Sequence, residues 1–367
     1  MNTQPQRPAL LAALLLAALL LAACAGSPSA AAPTPAAPTG APGAAVPQGG
    51  YPAIQITNKP KVVRIGYQAI PNAELVAKQL KWHEQTLGAP VEWRQFESGR
   101  DVNTAIAGGS IDIGLVGSSP AASGLATELP YDVIAIHDVI GDSEALAARG
   151  GIASVADLKG KKIAAPFGST THYSLLQVLK LNNISASDVQ LVDLNPPDLL
   201  AAWNRGDIDA AYIWQPTLQK LYDSGGKALT ASDKVAGQGF PTFDLAVATR
   251  QFTSQYPEVV AAYLQNLSRA TDLYRAKPDE ALAAIAKELQ ITPAEAKAQA
   301  AGLIWLTAGE QTDAKFFGTA GSPGALGQAL KTTADFLVEQ KVIRSAPDLA
   351  VFQKGANPAF LQRAAGK

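Results

Sequence analysis

Short apolar runs and helix-periodic stretches alternate along most of this chain. Residues 62–67 gather Val62, Val63, Ile65 and Tyr67 into a strand-like run that Pro71 closes. Leu75, Val76 and Leu80 then fall on one face of a helix, and residues 91–96 read as a second strand. Val102 and Ile106, four residues apart, give the next helix its buried face. Residues 111–116 form a short apolar strand, Pro120 takes the first position of the helix after it, and 133–139 is a further strand. Strands that alternate with helices predict an α/β fold whose mainly parallel sheets are flanked by helices.

The same order then begins again. Strands are predicted at 162–165, 190–194 and 208–213, with helices at 171–181 and 197–205 and another opened by Pro216. The two halves share a phrase: Gly109-Ser110-Ile111-Asp112, then Pro120, against Gly206-Asp207-Ile208-Asp209, then Pro216. Each phrase joins a helix end, a tight turn, a strand and a new helix N-terminus, which predicts two similar lobes rather than one long sheet. A strand at Phe243–Thr249 precedes a mostly helical last third, with helices at 258–275, 278–289, 293–302 and 324–339. Strands at 145–149 and Phe243–Thr249 bound the second lobe and are expected to form a two-stranded hinge, the C-terminal helices packing back on lobe one. Hinged lobes close around a ligand in their cleft.

The N-terminus changes the picture. Arg7 is the one charged residue before an unbroken Ala/Leu run over 9–23, the length of a signal-peptide core and too short to span a bilayer. It ends in Leu21-Ala22-Ala23-Cys24, which resembles the bacterial lipobox, a pattern in which the chain is cut before a Cys that is then acylated. Cys24 is the only cysteine, so no intrachain disulfide forms. From Ala25 to Gly50 the chain carries six prolines and no charge, the composition of an extended tether. The expected organisation is a signal peptide at 1–23, a lipidated Cys and tether at 24–58, the first part of lobe one at 59–144, lobe two with the hinge strands at 145–249, and the helical return at 250–367. The 30 basic and 31 acidic residues are mixed along the chain, without the basic stripe that nucleic-acid binding needs.

Catalytic patterns are missing. His83, His137 and His172 have no metal-ligand spacing, and neither a nucleophile elbow nor a phosphate-binding loop is present. Binding without turnover, metal or cofactor is the expectation. Two stretches look like anion cradles: Gly117-Ser118-Ser119-Pro120 and Gly168-Ser169-Thr170-Thr171-His172-Tyr173, each after a strand and opening a helix. Free N–H groups and the positive end of the helix dipole converge at such places. Ser119 and Thr171 have a plainer alternative as N-caps of their helices. Glu144 and Asp244, near the lobe junctions, are candidates to receive an ammonium group. Trp214 and Tyr212, at a strand's end, are candidates for an aromatic wall, Trp203 is expected to pack lobe two, and Asp112 and Asp209 are expected as turn residues. Gln68, directly after the first strand, joins the ligand-binding candidates.

Residues 62–265 resemble the substrate-binding proteins of taurine ABC importers, within the nitrate/sulfonate/taurine class of periplasmic binding proteins. The likeness is carried by Gly117-Ser118-Ser119-Pro120, by Asp142-Ser143-Glu144-Ala145-Leu146, and by the run from Pro166 through Ser169-Thr170-Thr171-His172-Tyr173-Ser174 to Leu176. It continues through Pro196-Pro197, the stretch from Ala201 to Tyr212, and Pro241-Thr242-Phe243-Asp244. The resemblance implies a two-lobed type II binding fold with the ligand in its cleft. It also implies that Asp244 pairs with an amine while Ser118, Ser119, Thr170 and Thr171 serve a sulfonate. Gln68, Glu144, Ser169, Tyr173 and Trp214 stand beside them as further ligand-binding candidates. The expected partners are taurine or a related sulfonate, an ABC permease with its ATPase, and a membrane reached through the lipid on Cys24, the protein itself acting as a monomer.

Overall fold

Buried branched residues set the strands of two separate sheets. The computed structural model describes residues 50–366. Its main strands are β1 (Val63–Tyr67), β2 (Val91–Gln95), β3 (Ile113–Gly117), β4 (Tyr131–Ile140), β5 (Glu144–Ala148), β6 (Lys162–Ala165), β7 (Gln190–Asp193), β8 (Ala210–Trp214), β9 (Lys227–Ala231), β10 (Phe243–Thr249) and β11 (Leu303–Trp305). The first sheet runs β11-β4-β10-β3-β1-β2 and the second β7-β6-β8-β5-β9.

The two sheets repeat one plan. In the first, β1 pairs parallel with β2 and β3, and β10 then joins β3 antiparallel. In the second, β6 pairs parallel with β7 and β8, and β5 joins β8 antiparallel. Parallel pairing is thus confined to one half of each sheet. The other half is antiparallel because β5 follows β4 directly out of the first sheet, and β10 returns from the second. The repeated sequence phrase occupies matching places in this plan. The Asp112 carboxylate accepts the Arg64 backbone N–H at 2.9 Å, and the Asp209 carboxylate accepts that of Lys162 at 2.8 Å. Each acid therefore ties the start of its sheet's outgoing strand to the neighbouring parallel strand.

The two strands expected to form a hinge do not meet. The strand at 145–149 is β5, paired with β8 and β9, whereas β10 pairs with β3 and β4. Both are almost wholly buried and apolar, as interior strands are, and an exposed hinge ribbon would not be. The chain crosses between sheets at Gly141, Asp142 and Ser143, and again over residues 237–242, after the helix Ser232–Ala236.

The C-terminal helices build most of the first lobe's outer layer. The helix Pro257–Ala276 opens on proline, where a missing N–H costs nothing, and buries Val260, Tyr263, Leu264 and Leu267 against the first core. Helix Ala325–Glu339 does more than return to lobe one. Its Phe336 and Leu337 pack with Tyr173 and Leu176 of lobe two, and Glu339 holds Lys180 at 2.8 Å. The sequence pattern does not show β11, a three-residue strand that adds to the edge of β4.

Candidate functional site

Two helix N-termini, one from each lobe, close on each other between the sheets. The helix Ser118–Ala126 follows β3 with Gly117 as its cap residue, and the helix Thr170–Leu181 follows β6 with Ser169 as its cap. Ser169 Oγ accepts the His172 N–H at 3.2 Å. Ser119 and Thr171 are therefore inside their first turns and cap nothing. Pro120 sits third in its helix rather than first, still within the turn whose N–H groups have no intrahelical acceptor. The approach is close: a Cβ added to Gly117 would lie 2.6 Å from Thr170 Cγ2. Gly168, with φ of +82°, makes the left-handed turn that brings Ser169 and Thr170 to this point.

Between these ends lies a slot of about 30 Å3. One water needs roughly 10–15 Å3, so the slot is narrow, with room for about two to three waters. Gln68, Glu144, Ser169, Thr170, Trp214 and Asp244 line it, six of the ten expected residues. Ser118, Ser119, Thr171 and Tyr173 do not. Ser118 Oγ accepts the Phe243 N–H at 3.2 Å and so pins the start of β10 beside Asp244. Thr171 bonds Ser169 at 2.8 Å, and Tyr173 sets its ring edge-on to Phe336 at 5.3 Å in the core between lobes. The Ser119 hydroxyl is fully buried with no hydrogen-bond partner. Of the other expected residues, Trp203 is buried in lobe two and Tyr212 donates to or accepts from Ser232 at 3.1 Å. A larger groove of about 720 Å3 lies outside the slot. There Arg100 of lobe one meets Asp193 of lobe two at 2.8 Å.

The slot is rich in buried acid. Glu144 lies at the start of β5 opposite Trp214, its carboxylate receiving hydrogen bonds from the Thr170 hydroxyl and, at 3.1 Å, from Ser232. Burial, and then the charge of Asp244, push the Glu144 carboxyl up to about 8 against the pull of those two hydroxyls. Asp244, the second residue of β10, has Gly117 as its register partner on one side and Asp138 of β4 on the other. Burial raises both of these aspartates, and Asp138 is raised further by the charge of its neighbour. No Lys, Arg or His among the described residues lines the slot. Among the described residues no three His, Cys, Asp or Glu side chains are gathered as metal ligands.

Sequence reasoning missed Asp138, Ser143 and Gln215. Asp138 left one mark in the sequence, a charge beside His137 inside an otherwise apolar strand, and such a charge is costly unless something answers it. Ser143 and Gln215 carried none, because their place is set by the crossing between sheets. Together the elements offer first-turn N–H groups for an anion and carboxyls for a cation within one slot.

These features define a two-lobed solute-binding protein. The chain belongs to the family described as the substrate-binding domain of ABC-type glycine betaine transport systems, whose match covers residues 61–308. It is 37% identical over 284 residues to the taurine-binding periplasmic protein of Escherichia coli, covering 76% of this chain and 86% of that one. It is 28% identical to a protein of the same organism named as a putative aliphatic sulfonates-binding protein, over 65% of this chain and 74% of that one. Among solved structures, the alkanesulfonate-binding protein SsuA from Xanthomonas axonopodis pv. citri, bound to MOPS, matches with a TM-score of 0.67 at 23% identity, covering 81% of this chain and 98% of that one. The desulfurization enzyme DszB matches at 16% identity, which shows a shared fold alone. The family and the closely similar relatives are transport binding proteins, so the chain is a binding protein and not an enzyme.

Proposed function

We propose that this chain is the extracytoplasmic receptor of an ABC importer that captures taurine and delivers it to a permease driven by its ATPase. The observation that carries this is the pairing, in one slot, of two helix N-termini with buried carboxyls. A sulfonate is ionised at any physiological pH, and helix N-termini receive such a group by charge-assisted hydrogen bonds. The carboxyls answer an ammonium. The names of the two Escherichia coli relatives agree with a sulfonate ligand. Glycine betaine, the ligand in the family's description, fits less well. A quaternary ammonium favours a cage of aromatic faces, and among the described residues Trp214 is the only aromatic one lining the slot. Calorimetric titration of residues 50–367 with taurine, ethanesulfonate, glycine betaine, sulfate and nitrate tests the reading. Taurine is expected to bind at least about tenfold more tightly than any of the others, about 1.4 kcal/mol. Equal or tighter binding of ethanesulfonate would move the assignment to aliphatic sulfonates in general, the second reading.

We also propose that the protein is exported, cut before Cys24 and held at the membrane by lipid on that residue, working as a monomer on its tether. Residues 1–49 lie outside the described residues, and the support is the lone Cys behind an Ala/Leu run. One acyl chain anchors only marginally, so stable attachment implies more than one. Cys24→Ala is expected to appear in the soluble fraction, with no incorporation of labelled fatty acid and unchanged taurine affinity. A variant that stays on the membrane after signal cleavage refutes the anchor.

A further inference from the structure

Asp138 is fully buried, and among the described residues no donor reaches either of its carboxyl oxygens, which lie beside the Asp244 carboxyl. The two are register partners on adjacent antiparallel strands, so both side chains stand on the same face of the sheet. The row across that face reads Gly117, Asp244, Asp138, Trp305. Trp305 carries no charge, and Glu144 is the remaining ionisable group that bears on Asp138. His137, next along β4, is skipped where the register with β10 shifts, and its charge does not bear on Asp138. Two buried carboxylates side by side without a cation are untenable, and one shared proton converts the repulsion into a hydrogen bond.

We infer that Asp138 is a positioning residue that keeps its proton, donates it in a hydrogen bond to Asp244, and so holds Asp244 as the ionised acceptor for a ligand ammonium. The inference rests on the proposed capture of an aminosulfonate. The asymmetry of the pair agrees with it: their mutual hydrogen bond raises Asp138 and lowers Asp244, which leaves the proton on the deeper residue. Asp244 lines the slot and Asp138 does not, so the acid that faces the ligand is the ionised one. The fold thereby supplies one negative charge where one ammonium arrives, without an arginine or lysine that would compete for it.

The test compares Asp138→Asn with Asp138→Leu. An asparagine amide still donates to Asp244, whereas leucine has no donor. Titrations with taurine and ethanesulfonate would run from about pH 6 to about pH 8. Asp138→Leu should lose at least about tenfold in taurine affinity at the lower end. It should recover as pH rises, with a slope approaching about tenfold per pH unit that persists to higher pH than in the wild type, because Asp244 without its donor holds its proton longer. Asp138→Asn should restore most of that loss and follow the wild-type pH dependence, in which burial already lifts Asp244 to about 7. Ethanesulfonate affinity should follow neither change, which also reports that the Leu variant is folded. In the ligand-free protein near neutral pH, the infrared carbonyl stretch of protonated carboxyls should lose one component in Asp138→Asn. If Asn loses as much taurine affinity as Leu, Asp138 acts as a second carboxylate and the inference fails. It fails equally if the infrared band is unchanged, or if neither variant alters the choice between ligands. Wild-type protein that does not bind taurine at all would instead overturn the functional reading.

Discussion

Asp244→Asn is expected to weaken taurine binding at least about tenfold while ethanesulfonate binds no worse. The helix N-termini at Ser118 and Thr170 cannot tell these ligands apart, since both present the same sulfonate. Only a group at the far end of the two-carbon spacer reads the ammonium. Glu144 and Asp244 both line the slot, but their circumstances differ. Glu144 already receives the hydroxyls of Thr170 and Ser232, and burial keeps its proton on up to about pH 8. Asp244 is lifted less, to about 7, and its one donor is Asp138, so its remaining lone pairs are left for the ligand. Truncating one partner of a desolvated charge pair costs about 2–5 kcal/mol, mostly through the stranded charge. The ammonium would be that stranded charge in Asp244→Asn. Ethanesulfonate brings no such charge, and it gains from the loss of a buried carboxyl. Glu144→Gln is the control. Should that variant produce the selective loss and Asp244→Asn not, the ammonium partner is Glu144. Equal losses for both ligands in Asp244→Asn would assign the residue to the fold.

The fold was legible where local chemistry repeats. Gly-x-Ile-Asp occurs twice, and both acids receive the backbone N–H of a neighbouring strand, so the repeat recorded a real equivalence between β3 and β8. The cradles at Gly117 and Ser169 were legible for the same reason: a strand end, a small residue and a helix start are close in sequence. The pairing of β5 and β10 was not. Each is a run of buried apolar residues, and such a run does not say which sheet it enters. Tyr173 shows a related limit. It sits one turn from Thr170 on the same helix, yet Phe336, distant in sequence, draws its ring away from the slot. Asp138 was hidden differently, since its meaning depends on Asp244, brought beside it by a strand that returns from the other lobe.

Gly117→Ala is expected to oppose closure and to lower the affinity for taurine and ethanesulfonate alike. Gly117 has φ of −69°, so alanine brings no backbone strain, and the open protein should fold normally. In the closed form, however, the new Cβ would lie 2.6 Å from Thr170 Cγ2, a contact the two lobes cannot make without parting or turning the Thr170 side chain. That side chain is not free to turn, because its hydroxyl is bound to Glu144. Overpacking of this kind costs about 1–3 kcal/mol, and as a penalty on the closed state it lowers affinity about 5–150-fold. Solution scattering at moderate ligand concentration should show the variant retaining the larger radius of gyration where the wild type contracts. The second variant isolates the cause. Thr170→Ser removes Cγ2 and keeps the hydroxyl for Glu144, so Gly117→Ala with Thr170→Ser should recover most of the lost affinity, a coupling that a double-mutant cycle measures directly. If the pair of substitutions is simply additive, the methyl contact is not what the alanine disturbs. If Gly117→Ala alone binds both ligands as the wild type does, these two helix ends do not need to touch when the lobes hold their ligand.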